Sequence, residues 1–256
     1  MTHDLFSKIS ITDEEIQAIL TDHLFSVTRI ELFQRNNRVT DFIINKELML
    51  RFSQNPLPEA MKLKRIKGIK HVPSIHITNI LTLCNCELFY LLVDFMPGDS
   101  LFNAIHTMTD TQVINVGEEI AHFLGTLHQI QDSTYDIGHY IGTIPRFMGS
   151  WMEGHKQYVQ LLHDQMMPLS LDSVEKQTIF SAFDALNRAT HFLVYQNGAR
   201  LLHNDLHPQN IIINNGHLAG IIDWECSQYG ESDFELAHLV HWNLFSMNSN
   251  EKFEKL

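Results

Sequence analysis

Strand-like runs of apolar and polar positions dominate the first hundred residues and helical spacing dominates afterwards, and this change of period divides the chain. Thr12 with Glu15 three residues on makes a capping box, and Ile16, Ile19 and Leu20 form the apolar stripe of a helix predicted to reach about residue 25. Residues 27–33 and 39–44 read as strands. Leu48, Leu50 and Phe52 alternate with Glu47, Met49 and Arg51, so a third strand presents Arg51 on the face opposite its apolar set. Pro58 suits the first turn of a helix that ends near Gly68, with Glu59 in that turn. Residues 72–83 and 87–95 supply two more strands. The second is nearly all apolar, as a buried central strand requires, and Met96-Pro97-Gly98 stops it.

Beyond this point the period is helical. Val113, Val116, Ile120, Phe123, Leu124 and Leu127 mark a long helix over residues 111–129. Gly138, Gly142, Pro145 and Gly149 make residues 131–150 loop. Helices are predicted over 151–166 and 172–196, where Phe180, Phe183, Phe192 and Tyr195 read as core, and a last one from His238 to about residue 245. A strand-rich part followed by a mainly helical part gives an α+β fold.

One stretch breaks the helical region. Ile211-Ile212-Ile213 and residues 218–222 are joined through Asn214-Asn215-Gly216-His217, the signature of a hairpin with a type I′ turn. With Asn215-Gly216 as the turn, residue 213 faces 218 and residue 210 faces 221. Asp223 then lies two residues beyond the partner of Asn210, and alternation puts both polar side chains on one face at the open end. Asp205 lies in the loop feeding the first strand. Two carboxylates and a carboxamide converge, which suits a hard cation and a proton acceptor. An Asp, an Asn five positions later and an Asp after the next strand are also the order found in phosphoryl-transfer loops. His203, Asp205 and His207 alternatively read as transition-metal ligands of a metallohydrolase.

The charge sum of −12 over 256 residues argues against nucleic acid or an anionic membrane as partner. Cys84, Cys86 and Cys226 form neither a disulfide framework nor a zinc knuckle. The first ten residues lack a signal-peptide core, and no apolar run approaches the ~20 residues of a membrane span. The expectation is a cytoplasmic protein.

His203-x-Asp205-x-x-Pro208-x-Asn210, followed by Ile222-Asp223-Trp224, resembles the aminoglycoside phosphotransferase/choline kinase family of small-molecule kinases. Gly230 to Ala237 extends the likeness, with Glu231 and Glu235 where the family usually has Asp. The resemblance implies a two-lobed, protein-kinase-like fold: a small antiparallel-sheet lobe over residues 1–97, including the hinge, and a larger, mainly helical lobe over 98–256. It implies Asp205 as the catalytic residue that orients and deprotonates a small-molecule hydroxyl, and Asn210 with Asp223 as Mg²⁺ ligands. ATP or GTP is the implied donor. Arg51 would pair with its phosphates, Glu59 would orient Arg51, and the backbone of Asp94 and Met96 would meet the base. His203, His207 and Glu235 would brace the loop. The implied acceptor is an aminoglycoside or related amino sugar, ahead of choline or another metabolite, and a monomer is expected. A nucleotide-binding pseudokinase is the alternative. One departure stands out: the connector Gln34-Arg35-Asn36-Asn37-Arg38 has no glycine where kinases cover the phosphates with a glycine-rich loop, and Arg35 and Arg38 read as a solvated turn or, alternatively, as groups that reach a phosphate.

Overall fold

The computed structural model describes residues 11–36, 39–53, 58–83, 86–135, 149–189, 198–245, 252, 255 and 256. Arg38, Cys84, Phe192, Tyr195 and the glycines and proline at 138, 142 and 145 lie outside the described residues, as does the amino-terminal stretch read for a signal peptide. The chain divides into two compact units. One comprises Met1–Ile120, Pro208–Glu225 and Ser249–Leu256; the other comprises Ala121–His207 and Cys226–Asn248.

The first unit is built on an antiparallel five-stranded sheet ordered β1-β2-β3-β5-β4, with β1 Ile30–Arg35, β2 Val39–Ile44, β3 Leu48–Ser53, β4 Ile75–Leu83 and β5 Cys86–Asp94. Helix α1, Asp13–Asp22, starts at the expected capping box: the Thr12 hydroxyl accepts from the Glu15 N–H, and Glu15 accepts from the Thr12 N–H. Ile16, Ile19 and Leu20 pack on one face of the sheet against Phe42, Ile44, Leu50, Phe52, Leu88, Tyr90 and Leu92. Each such side chain, fully buried, stabilises the fold by roughly 1.5–3 kcal/mol relative to exposure. Because side chains alternate across a strand, the same pairing commits Asp41, Met49 and Arg51 to the other face. Helix α2, Pro58–Arg65, follows β3. Strand β1 begins three residues later than its β-branched run suggests.

Strand β6, Asp99–Ser100, joins the predicted hairpin, β9 Ile211–Asn214 and β10 His217–Ile221, in a second sheet ordered β10-β9-β6. Gly98 makes this join possible. Its φ is 143°, and a Cβ there would lie 2.3 Å from the Ile213 carbonyl oxygen. A short helix α3, Leu101–Ala104, and the long α4, Asp110–Leu127, come next.

In the second unit β7 Gln131–Asp132, β8 Ala199–Leu202 and β11 Gln228–Gly230 form a sheet ordered β11-β8-β7. The loop expected over residues 131–150 therefore opens with a strand. Its pairing partner, Ala199 and Arg200, lies too far along the chain for local sequence to announce it. Helices α5, Trp151–Met166, and α6, Ser173–Ala189, match their apolar periods. Trp151 is buried among Tyr135, His155 and Phe234, with ring centroids 5.4, 4.5 and 5.6 Å away. Helix α7, Ser232–Phe245, begins six residues before the expected His238, so Glu235 sits inside it. Among the described residues no helix is long and apolar enough to cross a membrane.

Two glycines separate close approach from mere flexibility. Gly98→Ala should cost about 1–3 kcal/mol, since the carbonyl it meets is backbone. Gly125→Ala, exposed in α4 with nothing within 4 Å of the added carbon, should stabilise by roughly 0.5–1 kcal/mol. Urea unfolding of the two variants gives the sign of each.

Candidate active site

The hairpin forms around the residues that predict it. Asn215 and Gly216 both have positive φ, 52° and 80°, and Ile213 stands opposite Leu218. Beyond that pair the ladder departs from the expected register. A bulge lies between Leu218 and Gly220, so Gly220 faces Ile212, Ile221 faces Ile211, and the Ile222 N–H donates to the Asn210 carbonyl at 3.0 Å. Asn210 is thus opposite Ile222, not Ile221, and simple alternation no longer relates it to Asp223. The bulged strand is held from outside the hairpin. The His71 carbonyl accepts from the Ile221 N–H at 2.8 Å, and its Nδ1 lies 3.3 Å from the Ala219 carbonyl. Asp223 itself leaves the strand in the left-handed region, φ 64°, a conformation an aspartate tolerates better than most residues. Trp224, fully buried, donates its indole N–H to the Ile221 carbonyl at 2.8 Å and holds the exit in place.

Arg51 supplies the positive charge of the same unit. Its Nε and Nη2 donate to the two carboxylate oxygens of Asp41, each at 3.0 Å, and its Nη1 donates to Glu59 at 2.9 Å. The Glu59 ion pair is the one its place in the first turn of α2 suggests. Asp41 was not foreseen, yet the pairing is arithmetic: Ile44 faces Leu48 across the turn, so Asp41 faces Arg51. Gln34 of β1 stands opposite Asp41 in turn and donates to it at 2.5 Å. Asp41 has no solvent exposure. Burial works to lower the Arg51 pKa, but Glu59, Asp41 and the more distant Asp223 outweigh it and hold it above its ordinary value. Glu59 is raised, by burial first, with Arg51 opposing and Asp223, Asp41 and Glu225 assisting. One cation among three carboxylates satisfies the cation better than the anions.

A cavity of about 290 Å³ opens at this cluster. Arg51, Glu59 and Asp223 form its polar end; Met49, Val93, Ile212 and Ile222 are apolar walls, and Asp94, Phe95 and Met96 lie along it. Five of the seven residues predicted for the site, Arg51, Glu59, Asp94, Met96 and Asp223, therefore line one space. Asn210 is buried and joined to it through Ile222. At the Asp94–Met96 segment the Asp94 N–H is taken by the Ser74 carbonyl, and the Phe95 N–H by the Glu47 carbonyl at 2.7 Å. The Asp94 carboxylate accepts from the Ser74 N–H and pairs with His76 at 2.7 Å. A planar ligand edge here would meet the Asp94 carbonyl and the Met96 N–H. A carboxylate and a carboxamide oxygen, from Asp223 and Asn210, are hard donors suited to Mg²⁺, which commonly takes only one or two protein ligands beside phosphate and water.

Asp205 belongs to the second unit, on a loop held by the unit's own groups. Glu235 accepts from the backbone N–H of His203 at 2.5 Å and of Asn204 at 3.0 Å. Asn204, at φ 65°, donates to the Cys226 carbonyl and accepts from Gln228. The Asp205 N–H lies 3.3 Å from His203 Nδ1, its carbonyl accepts from the His207 N–H at 2.9 Å, and its carboxylate lies 3.8 Å from His207 Nε2. The Asp205 side chain is partly exposed. Among the described residues no three His, Cys, Asp or Glu side chains gather as a metal cluster, so His203, Asp205 and His207 do not assemble the transition-metal site. Tyr135 donates to the fully buried Glu231 at 2.7 Å, a contact the sequence did not suggest.

Residues 59–254 match the family model described as the phosphotransferase enzyme family. No curated protein sequence matches the chain significantly. Among solved structures the chain is similar to aminoglycoside phosphotransferase APH(4)-Ia, at 15% identity and a TM-score of 0.68, over 91% of this chain and 78% of that one. It is similar at 13% identity and TM-score 0.68 to a thermostable mutant of that enzyme in a ternary complex with ADP and hygromycin B, over 93% and 79% of the two chains. The streptomycin-ATP-APH(2")-IIa ternary complex matches at 16% identity and TM-score 0.61, over 89% and 75%. These likenesses show a protein-kinase-like fold.

Burial first, then Asp205, raise the Glu235 carboxyl to about 7 against the pull of its two N–H donors. A carboxyl raised on folding contributes stability that is fully present below its unfolded pKa and lost as pH climbs through about 7. Burial lowers His155 in the same unit to about 4, so its contribution is full above its unfolded pKa of about 6.5 and lost as pH falls toward 4. The two slopes oppose each other between. Glu235→Gln should leave His155 unopposed, and the variant should lose on the order of 2–3 kcal/mol more than the parent on acidification from about pH 6.5 to 4.5. Unfolding curves at stepped pH test this; parallel profiles would refute it.

Proposed function

This chain belongs to the phosphotransferase enzyme family and is a small-molecule kinase, and we propose that it moves the γ-phosphate of ATP or GTP to a hydroxyl of an aminoglycoside-type antibiotic or related amino sugar. The observation that supports this reading is the single cavity lined by Arg51, Glu59, Asp94, Met96 and Asp223. Its apolar walls suit a nucleotide base, and its charged end suits phosphates. In this reading residues 1–97 serve the nucleotide and 98–256 the chemistry and acceptor, and the enzyme works as a cytoplasmic monomer.

Each group then has a role set by its surroundings. The Asp94 carbonyl and the Met96 N–H meet the base edge, because the neighbouring N–H groups are already bonded. Arg51, held by Asp41 and Glu59, offers its remaining N–H groups to the phosphates. Asp223 and Asn210 hold Mg²⁺, which would neutralise the phosphate charge and align it. Asp205 orients the acceptor hydroxyl and accepts its proton. Its loop backbone is fixed by Glu235, so the carboxylate need not be positioned at the moment of reaction. Catalysis of this kind rests on positioning and charge neutralisation. The complexes of similar enzymes with ADP and hygromycin B, and with ATP and streptomycin, support the choice of donor and acceptor class.

The purified protein should release nucleoside diphosphate from Mg²⁺-ATP or Mg²⁺-GTP when an aminoglycoside is added, in a panel that includes macrolides, choline and sugars. Release with choline alone would move the acceptor; nucleotide binding without release would favour a pseudokinase. Asp205→Ala should keep nucleotide binding and lose transfer by about a thousandfold or more. Near-normal turnover in that variant would remove the role given to Asp205.

A further inference from the structure

Asp41 lies behind the cavity and touches no part of it, yet it takes two of the hydrogen bonds of the cation that does. A guanidinium has five N–H donors. Asp41 accepts from Nε and Nη2, and Glu59 from Nη1, which leaves one N–H on each terminal nitrogen without a partner among the described residues. The fork geometry fixes the guanidinium plane, because two parallel N–H···O bonds to one carboxylate define an orientation and a single contact does not. Asp41 is itself enclosed: it is fully buried on the central part of β2, paired directly opposite Arg51, and held from the other side by Gln34.

We infer that Asp41 is a positioning residue for the donor nucleotide, orienting Arg51 so that its two uncommitted N–H groups meet phosphate, and that it makes arginine obligatory at position 51. The inference rests on the kinase reading above. A lysine at 51 carries one compact ammonium, which reaches Glu59 or Asp41 but does not span both as the fork does. With lysine there, the Asp41 carboxylate stays buried without its bidentate partner and draws the ammonium away from the cavity. Removing the charge at 41 removes that conflict. The identities at 41 and 51 are therefore coupled, and the coupling appears in nucleotide handling as well as in folding.

The test is a cycle of four proteins: the parent, Asp41→Asn, Arg51→Lys and the double variant. Asparagine keeps the shape and one acceptor oxygen, and the unfolding midpoint of each protein separates a loss of fold from a loss of nucleotide handling. ADP affinity and kcat/KM for the donor nucleotide are measured for all four. Arg51→Lys should lose at least about tenfold in kcat/KM, Asp41→Asn several-fold, and the double variant should recover several-fold over Arg51→Lys alone. A recovery confined to the unfolding midpoint, or losses that simply multiply, would overturn the role of Asp41 in a parent that binds nucleotide. A parent that binds neither ATP nor GTP would instead remove the kinase reading, and this role with it.

Discussion

The Arg51 guanidinium is gripped by Asp41 of β2 and Glu59 of α2, and much of the first unit is arranged by that grip. Leaving one member of a buried ion pair unpaired costs about 3–5 kcal/mol, so neither a slip of β2 against β3 nor a displaced first turn of α2 is tolerated. The same contacts set the character of the cavity. One cation and two carboxylates at its polar end, with the Asp41 carboxylate behind the cation, leave a surplus of negative charge. The sheet face opposite carries the apolar core under α1, so packing and chemistry are divided across a single sheet by the two-residue repeat of its strands.

The Asp205 loop of the second unit uses a different device. His203, Asn204 and Asp205 are ordered by groups far along the chain, chiefly the Glu235 carboxylate that receives two backbone N–H groups. Burying that carboxylate raises its pKa, and the fold accepts the cost because two buried N–H groups would otherwise go unbonded. The family's usual aspartate is here a glutamate, one methylene longer, and α7 starts early enough to bring it within reach.

Much of this was legible in the sequence because it is local. The Asn215-Gly216 turn, the Thr12–Glu15 capping box and the alternation that separates Arg51 from Leu50 and Phe52 each depend on a few adjacent residues. Asp41 was legible in principle, since a short turn after Ile44 fixes its partner, but only by counting the register through. The bulge at Ala219 was not, because its contact with His71 comes from almost 150 positions away. Strands β7 and β11 are too short to show a period and exist by pairing with β8. The missing glycine in the β1–β2 connector remains a feature of sequence, since Asn37 and Arg38 lie outside the described residues.

Read as a matter of chain length, the bulge is slack. The stretch between the turn and Gly220 holds one residue more than the pairing uses, since Leu218 and Gly220 face the consecutive residues Ile213 and Ile212. Loss of Ala219 would leave Gly220, Ile221 and Ile222 opposite the same partners, and Asp223 at the same remove from Asn210. A relative one residue shorter in this hairpin is therefore aligned correctly by placing its gap at 219, with the chemical residues on both sides left in frame.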